Sequence, residues 1–332
     1  MAEISIKGKL AIELLTNYPN AYTKTLAKIA IQKYPEVFKD EESARGVIRW
    51  HRGAKGKASR KNALKPREFT PELFNPFSLP SSDEIEYLPY TLPNDCKNIL
   101  ILSDIHVPYH NLEALTLAIR YGLDHQVDTI FLNGDFMDFY SLSRYEKDPR
   151  KRDFVGELEM GRQILKRLRE LFPNARMYYL QGNHDLRLEV YLKVKAPELF
   201  GIEDFELNNL LRFGEMNIEY IKDKRIVKAG KLNILHGHEL KGGAFSPVNV
   251  ARGLYMKTKT SSICGHHHST SEHTETSING DVFTCWSVGH LGEEHPNYMP
   301  LNKWNHGFAR VDVKEDGNFT VHNKRIVKGQ IY

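Results

Sequence analysis

The chain of 332 residues has few cysteines, no run of 18 apolar residues and no apolar core near its first residues. Cys96, Cys264 and Cys285 lack metal-type spacing and cannot all pair, which argues against a disulfide scaffold and predicts reduced thiols in an intracellular, cytoplasmic protein. The missing apolar run excludes a membrane-spanning helix, and the opening Met-Ala-Glu-Ile-Ser-Ile-Lys indicates no secretion. No internal repeat is visible. One stretch lacks acid: Arg45 to Arg67 holds nine basic residues and no carboxylate.

The composition suits a packed protein. It is 41% hydrophobic, and 11% aromatic residues argue against disorder. The net charge of +4 hides an asymmetry, because residues 1–63 carry 13 Lys/Arg against 6 Asp/Glu. Such an excess speaks about partners rather than fold. Residues 1–63 read as three short amphipathic helices, the third capped by Ser43 and basic along one side, compatible with a helix-turn-helix. Residues 64–94 hold six of the 15 prolines and read as an extended linker. From Asn98 strands and helices alternate within a domain of residues 95–332, which predicts a layered α/β core. Strands are expected at 98–103, 129–133, 176–181, 216–221, 231–235 and 261–264, with helices at 111–125, 153–172, 185–195, 204–212 and 247–257. Asn279-Gly280 and Asp316-Gly317 predict antiparallel hairpins toward the end.

Five short clusters follow five of those apolar runs. They are Asp104-Ile105-His106, Gly134-Asp135, Gly182-Asn183-His184-Asp185, His236-Gly237-His238 and Gly265-His266-His267-His268. In α/β sheets ligands bind just beyond the carboxyl ends of strands, where each cluster would sit. Oxygen and nitrogen ligands in this mixture suit Mn, Fe, Zn or Ni rather than calcium, and no thiolate is among them. A lone histidine is usually structural; five ordered clusters are another matter.

The set DxH, GD, GNH[D/E], H and GHxH resembles the calcineurin-like metallophosphoesterase superfamily, over about residues 98–310. The resemblance implies a four-layer β-sandwich flanked by helices, preceded here by the small helical domain. It implies two divalent metal ions, one held by Asp104, His106 and His268, the other by Asn183, His236 and His266, with Asp135 bridging. A carboxylate offers the two anionic oxygens that such a bridge needs. The ions would make hydroxide from water at neutral pH for attack on a phosphoester. His184 would protonate the leaving oxygen, with Asp185 orienting its ring. In Gly265-His266-His267-His268 the first and third imidazoles point to one side if the segment is extended.

Other residues stay open between two roles. His238 and His267 could support ligands or face solvent, His110 could touch substrate or be a loop residue, and Arg144 could hold a phosphate oxygen or be an ordinary surface arginine. Cys264, Tyr178, Tyr179 and Trp286 read as core. The chain departs from Ser/Thr phosphatases, which extend the second motif to GDxVDRG and use GNHE; here Phe136-Met137-Asp138-Phe139-Tyr140 follows Gly134-Asp135, and the arginine is missing. The GNHD form is more like the nuclease and phosphodiesterase branches. Arg45, Arg49, Arg52, Lys55, Lys57, Arg60 and Lys61 are candidates for binding DNA or RNA phosphates through counterion release. The expectation is therefore hydrolysis of phosphodiester bonds in nucleic acid or nucleotides. The alternatives are a phosphomonoesterase acting on a small molecule or phosphoprotein, and an inactive DNA-binding scaffold.

Overall fold

The computed structural model describes residues 4–18, 21–55, 88–145, 148–240, 248–295 and 300–332. The chain divides into two compact units, Met1–Glu84 and Ile85–Tyr332. In the first, α1 (Ile6–Asn17), α2 (Thr23–Lys33) and α3 (Glu41–His51) enclose Leu14, Leu26, Ala30, Phe38 and Ile48. Helical spacing gathers Ala11, Leu14 and Leu15 on one face of α1, and Ala44 and Ile48 on one face of α3. Asp40, not Ser43, caps α3: its carboxylate accepts from the Ser43 N–H at 2.7 Å, so Ser43 lies inside the first turn.

The second unit contains, in chain order, β1 (Tyr90–Thr91), β2 (Asn98–Leu102), α4 (Leu112–Asp124), β3 (Thr129–Asn133), α5 (Phe154–Leu171), β4 (Arg176–Leu180) and α6 (Leu186–Lys195). There follow β5 (Ile218–Ile221), β6 (Val227–Ala229), β7 (Leu232–Leu235), α7 (Val250–Thr258), β8 (Ser262–Cys264), β9 (Ser271–Thr276), β10 (Val282–Ser287), β11 (His306–Val313), β12 (Phe319–Val327) and β13 (Gln330–Ile331). The described strands form two sheets, ordered β13-β12-β11-β2-β3-β4-β5 and β1-β6-β7-β8-β10-β9. Strands β2 to β5 are parallel, as are β7, β8 and β10, while β11–β12 and β9–β10 are antiparallel about the two expected hairpin turns.

Alternation along each strand builds the layers. Ile99 and Ile101 of β2 join Val227, Ile234 and Ile263 in a core between the sheets. Leu100 and Leu102 face the other way, toward Ala118 of α4 and Leu165 of α5. Val250, Ala251 and Leu254 of α7 cover Leu235, Cys264 and Cys285 on the outside of the second sheet. The fold is thus α/β, two sheets flanked by helices. The three cysteines are buried and unpaired.

Two further expectations need correction. Tyr90–Thr91, inside the expected linker, is a strand that pairs in parallel with β6, and Leu92 and Cys96 are buried behind it. Positions 64–87 of that linker lie outside the described residues. The helix expected at 204–212 shrinks to one turn, Leu207–Leu210, because Glu206 before it is extended and Arg212 after it, at φ 57°, turns the chain away. No helix among the described residues is long and apolar enough to cross a membrane.

Candidate metal centre

The carboxyl ends of β2, β3 and β4 in one sheet, and of β7 and β8 in the other, deliver the five clusters to one cleft. The turns that do this are tight. Asp104, His106, Asp135, His266 and His268 all hold positive φ, between 50° and 65°, at roughly 1–2 kcal/mol each for a non-glycine residue. Backbone hydrogen bonds hold them there: Asp104 N–H donates to Gly134 O (3.1 Å), His106 N–H to Asp135 O (3.0 Å) and Gly265 N–H to His236 O (2.8 Å). Strain concentrated in this way is a mark of functional sites. His266 and His268 are therefore not on an extended segment, and they do not share one side. His268 joins Asp104 and His106, whereas His266 joins Asp135 and His236.

Asp104 and His236 each have one atom tied down and one left for the cleft. Asp104 Oδ2 accepts from Ser103 Oγ (2.5 Å) and the His266 N–H (2.9 Å). Its Oδ1 is fully buried, accepts no hydrogen bond, and faces His268 Nε2 at 3.2 Å. His106 Nε2 and His268 Nε2 converge at 3.1 Å. Across the cleft, His236 Nδ1 is bonded to the Asn133 carbonyl (2.8 Å), which leaves Nε2 pointing at Asn183 Oδ1 (3.2 Å) and Asp135 Oδ2 (3.3 Å). Asp135 Oδ1 accepts from the His184 N–H (2.7 Å). A backbone bond on one imidazole nitrogen that aims the other is how metal-ligating histidines are held.

Electrostatics point the same way. Burial opposes ionisation of Asp104 and Asp135, yet His236, His268 and His184 around them hold both carboxyls below their ordinary range. Burial pulls His236 down, but Asp135 and Asp104 push it up to about 10, so its Nε2 holds a proton that a cation bound there would have to displace. Burial and the neighbouring His236 push His266 down to about 4, so it is a neutral imidazole with a lone pair. An unsatisfied buried carboxylate oxygen, converging lone pairs and Asp135 between two groups of ligand atoms are a donor set that fits two divalent cations.

The cluster around His184 departs from expectation. Asp185 does not orient His184. Its carboxylate accepts from the backbone N–H groups of Asp135 (3.0 Å), Met137 (3.2 Å) and Gly182 (2.8 Å) and from Tyr179 Oη (2.7 Å). Asp185 ends its turn facing back under the β3 loop, so it fastens two motif loops together. The partner of His184 is Asp138, whose Oδ2 lies 3.2 Å from His184 Nδ1 and 3.3 Å from His106 Nδ1. Burial opposes the charge on Asp138, but those two imidazoles hold its carboxyl low. Arg187 completes the group, donating to the Asp138 carbonyl (2.8 Å) and to His184 Nε2 (3.0 Å). Asp138 sits three residues past Asp135 and Arg187 three past His184, a spacing that offered a signal for both.

The remaining candidates are distributed as follows. His238 lies beside the second group, its ring 5.3 Å from His236 and 6.3 Å from His266. Arg144 is exposed and donates to Tyr145 Oη (3.2 Å). His110 bridges to Gly292 through the backbone. Tyr178 and Tyr179 are buried, as expected. In the helical unit, Arg45 pairs with Glu42 on the surface (2.8 Å), and Arg49 is exposed. Arg52 is committed elsewhere: its guanidinium donates to Thr23 Oγ1 (3.0 Å) and the Ala21 carbonyl, so it pins the start of α2 and is not available to a nucleic acid. Lys55 ends the described part of that unit, and Lys57, Arg60 and Lys61 lie outside the described residues.

Gene 54 protein of Mycobacterium phage L5 is 29% identical over 232 residues, which is 65% of this chain and 89% of the phage protein. Gene 54 protein of Mycobacterium phage D29 is 29% identical over 237 residues, or 67% and 90%. Among solved structures, Vps29 from Entamoeba histolytica complexed with zinc covers 71% of this chain and 96% of its own, at 12% identity and a TM-score of 0.37. The model of the calcineurin-like phosphoesterase family matches residues 97–270. That span exceeds half of the sequence and takes in all five clusters, and so the chain belongs to the calcineurin-like phosphoesterase family.

Proposed function

We propose that this chain hydrolyses phosphodiester bonds of nucleic acid or nucleotides, with one divalent cation at Asp104, His106 and His268, a second at Asn183, His236 and His266, and Asp135 shared between them. The observation that carries this reading is the placement of Asp135, buried and close to His106 and His184 on one side and to His236 and His266 on the other. Two cations at these side chains would make water a nucleophile at neutral pH and offset charge on the phosphate oxygens.

The chain's own residues do the rest. Asp138 fixes the His184 ring through Nδ1, which leaves Nε2 on the cleft side to give a proton to the leaving oxygen. Arg187 now holds Nε2. A phosphate is the better partner for a guanidinium, because it accepts two parallel charged hydrogen bonds. Substrate would draw Arg187 away, and the freed Nε2 would take a proton from solvent, the imidazolium held by Asp138 at Nδ1, and pass it to the leaving oxygen. The missing arginine of the GDxVDRG pattern supports a diester over a phosphoprotein, and Arg187 supplies the phosphate-facing cation from another element. An exposed Arg49 on α3 supports a nucleic-acid surface.

With Mn²⁺ added, bis-p-nitrophenyl phosphate is expected to be cleaved faster than p-nitrophenyl phosphate. The reverse order would make the chain a monoesterase. No turnover with Mn, Fe, Zn or Ni would leave a scaffold.

A further inference from the structure

Beside the Asp104–His106–His268 group the cleft opens into a cavity of about 620 Å³, a size that suits a small ligand. Its lining is unusually aromatic. Trp304 stands edge-on to His268, ring centroids 4.4 Å apart, and 5.5 Å from His290. Tyr109 and Tyr140 meet edge to face at 6.0 Å and line the same space. His290 also lines it. That side chain is 1% exposed, stacks flat on His268 at 4.7 Å, and its Nε2 has no hydrogen-bond partner. A buried polar atom without a partner costs stability unless a ligand supplies one. At the cavity's charged positions Asp148, Glu293 and Glu294 outnumber Lys151, which disfavours a polyphosphate there.

We propose that this cavity is a nucleoside subsite. The base of a nucleotide ester stacks on Trp304 with Tyr109 and Tyr140 as further walls, His290 Nε2 hydrogen-bonds the base edge or a ribose hydroxyl, and the phosphate lies at the candidate metal centre. Flat rings recognise any base through its π-face, and the uncharged nucleoside, unlike a second phosphate, is compatible with the carboxylates. Only the position of the phosphate rests on the phosphodiesterase reading.

Two measurements on the full chain in Mn²⁺ test this. Calorimetry compares thymidine 5′-monophosphate with methyl phosphate, and kinetics compares thymidine 5′-p-nitrophenyl phosphate with methyl p-nitrophenyl phosphate. The thymidine compound is expected to win by roughly tenfold in affinity and in kcat/KM, a stacking-sized preference. Trp304→Ala should collapse that ratio to near one and Trp304→Phe should restore most of it. Tyr140→Ala, on a separate segment, should lower the same ratio. A thymidine preference in binding without turnover of either diester keeps the subsite and removes the diesterase reading. Turnover of both diesters without preference keeps that reading and overturns the subsite. Equal affinity in the wild-type chain, binding of neither compound, or a preference that survives Trp304→Ala also overturns it.

Discussion

Asp138 and Asp185 show how neighbours in sequence and neighbours in space diverge. Asp185 adjoins His184 in the chain, yet its carboxylate turns to the backbone of Asp135, Met137 and Gly182 and to Tyr179, while Asp138, 46 positions upstream, faces the ring. The two carboxylates should therefore fail differently. Asp138→Asn is expected to lower kcat by about 10²-fold, the low end for a mispositioned general acid, with metal content retained. Asp185→Asn would set an amide N–H against backbone donors and cost on the order of 3 kcal/mol of stability. Denaturant unfolding and elemental analysis of both variants separate the two roles. Equal kinetic losses without loss of stability in Asp185→Asn would show that the geometry has been misread. Glu157, buried near Phe139 and Asp138, adds a pH signature. Burial and the Asp138 charge push it up to about 8 from an ordinary 4.5. A carboxyl raised on folding favours the fold most below its ordinary value and loses that contribution as pH climbs through its folded value. The wild-type chain should thus lose stability relative to Glu157→Gln between about pH 4.5 and about 8. A difference in Tm that stays flat over that window would contradict the assignment.

At the scale of elements, the working parts are turns rather than strands. Glycine appears in the motifs because backbone and ligand approach too closely for anything larger. A Cβ on Gly182 would fall 2.2 Å from both the backbone nitrogen and Oδ1 of Asp135. Gly182→Ala is therefore expected to displace the shared carboxylate and reduce bound metal below two ions per chain, which elemental analysis after gel filtration would report. Retention of two ions would mean that the turn yields more than its packing suggests. The strands were legible because five-residue buried runs such as Asn98–Leu102 carry a clear apolar signal, and the hairpins because Asn-Gly and Asp-Gly favour those turns. β1 and β6 were not, since strands of two and three residues are too short to show a period. The resemblance sent His266 and His268 to different ions, but the backbone that does so was hidden behind the extended-segment reading. Left-handed backbone at His266 and His268 sends them to different groups, and residue type gives no hint of it.

For the whole molecule, motif order and spacing made the family and the layered architecture readable, because each cluster must close a strand to reach a common edge. The partners of the ligands were barely readable: Asp138 and Arg187 had only their three-residue spacing as a signal, and the contacts of His290 and Trp304 exist only in the fold. The charge asymmetry of residues 1–63 was visible, but which cations remain available was not, as Arg52 shows by bonding within its own unit. Arg49→Glu in the full chain should weaken DNA binding at low salt and flatten its salt dependence; binding that is absent at low salt, or indifferent to this change, would remove the nucleic-acid role of α3. The central claim concerns two cations gathered in one cleft. Anomalous diffraction from crystals grown with Mn²⁺ tests it most directly. Two peaks about 3.5–4 Å apart on either side of Asp135 are predicted. A single peak, or peaks away from Asp104, His236 and Asp135, would contradict it.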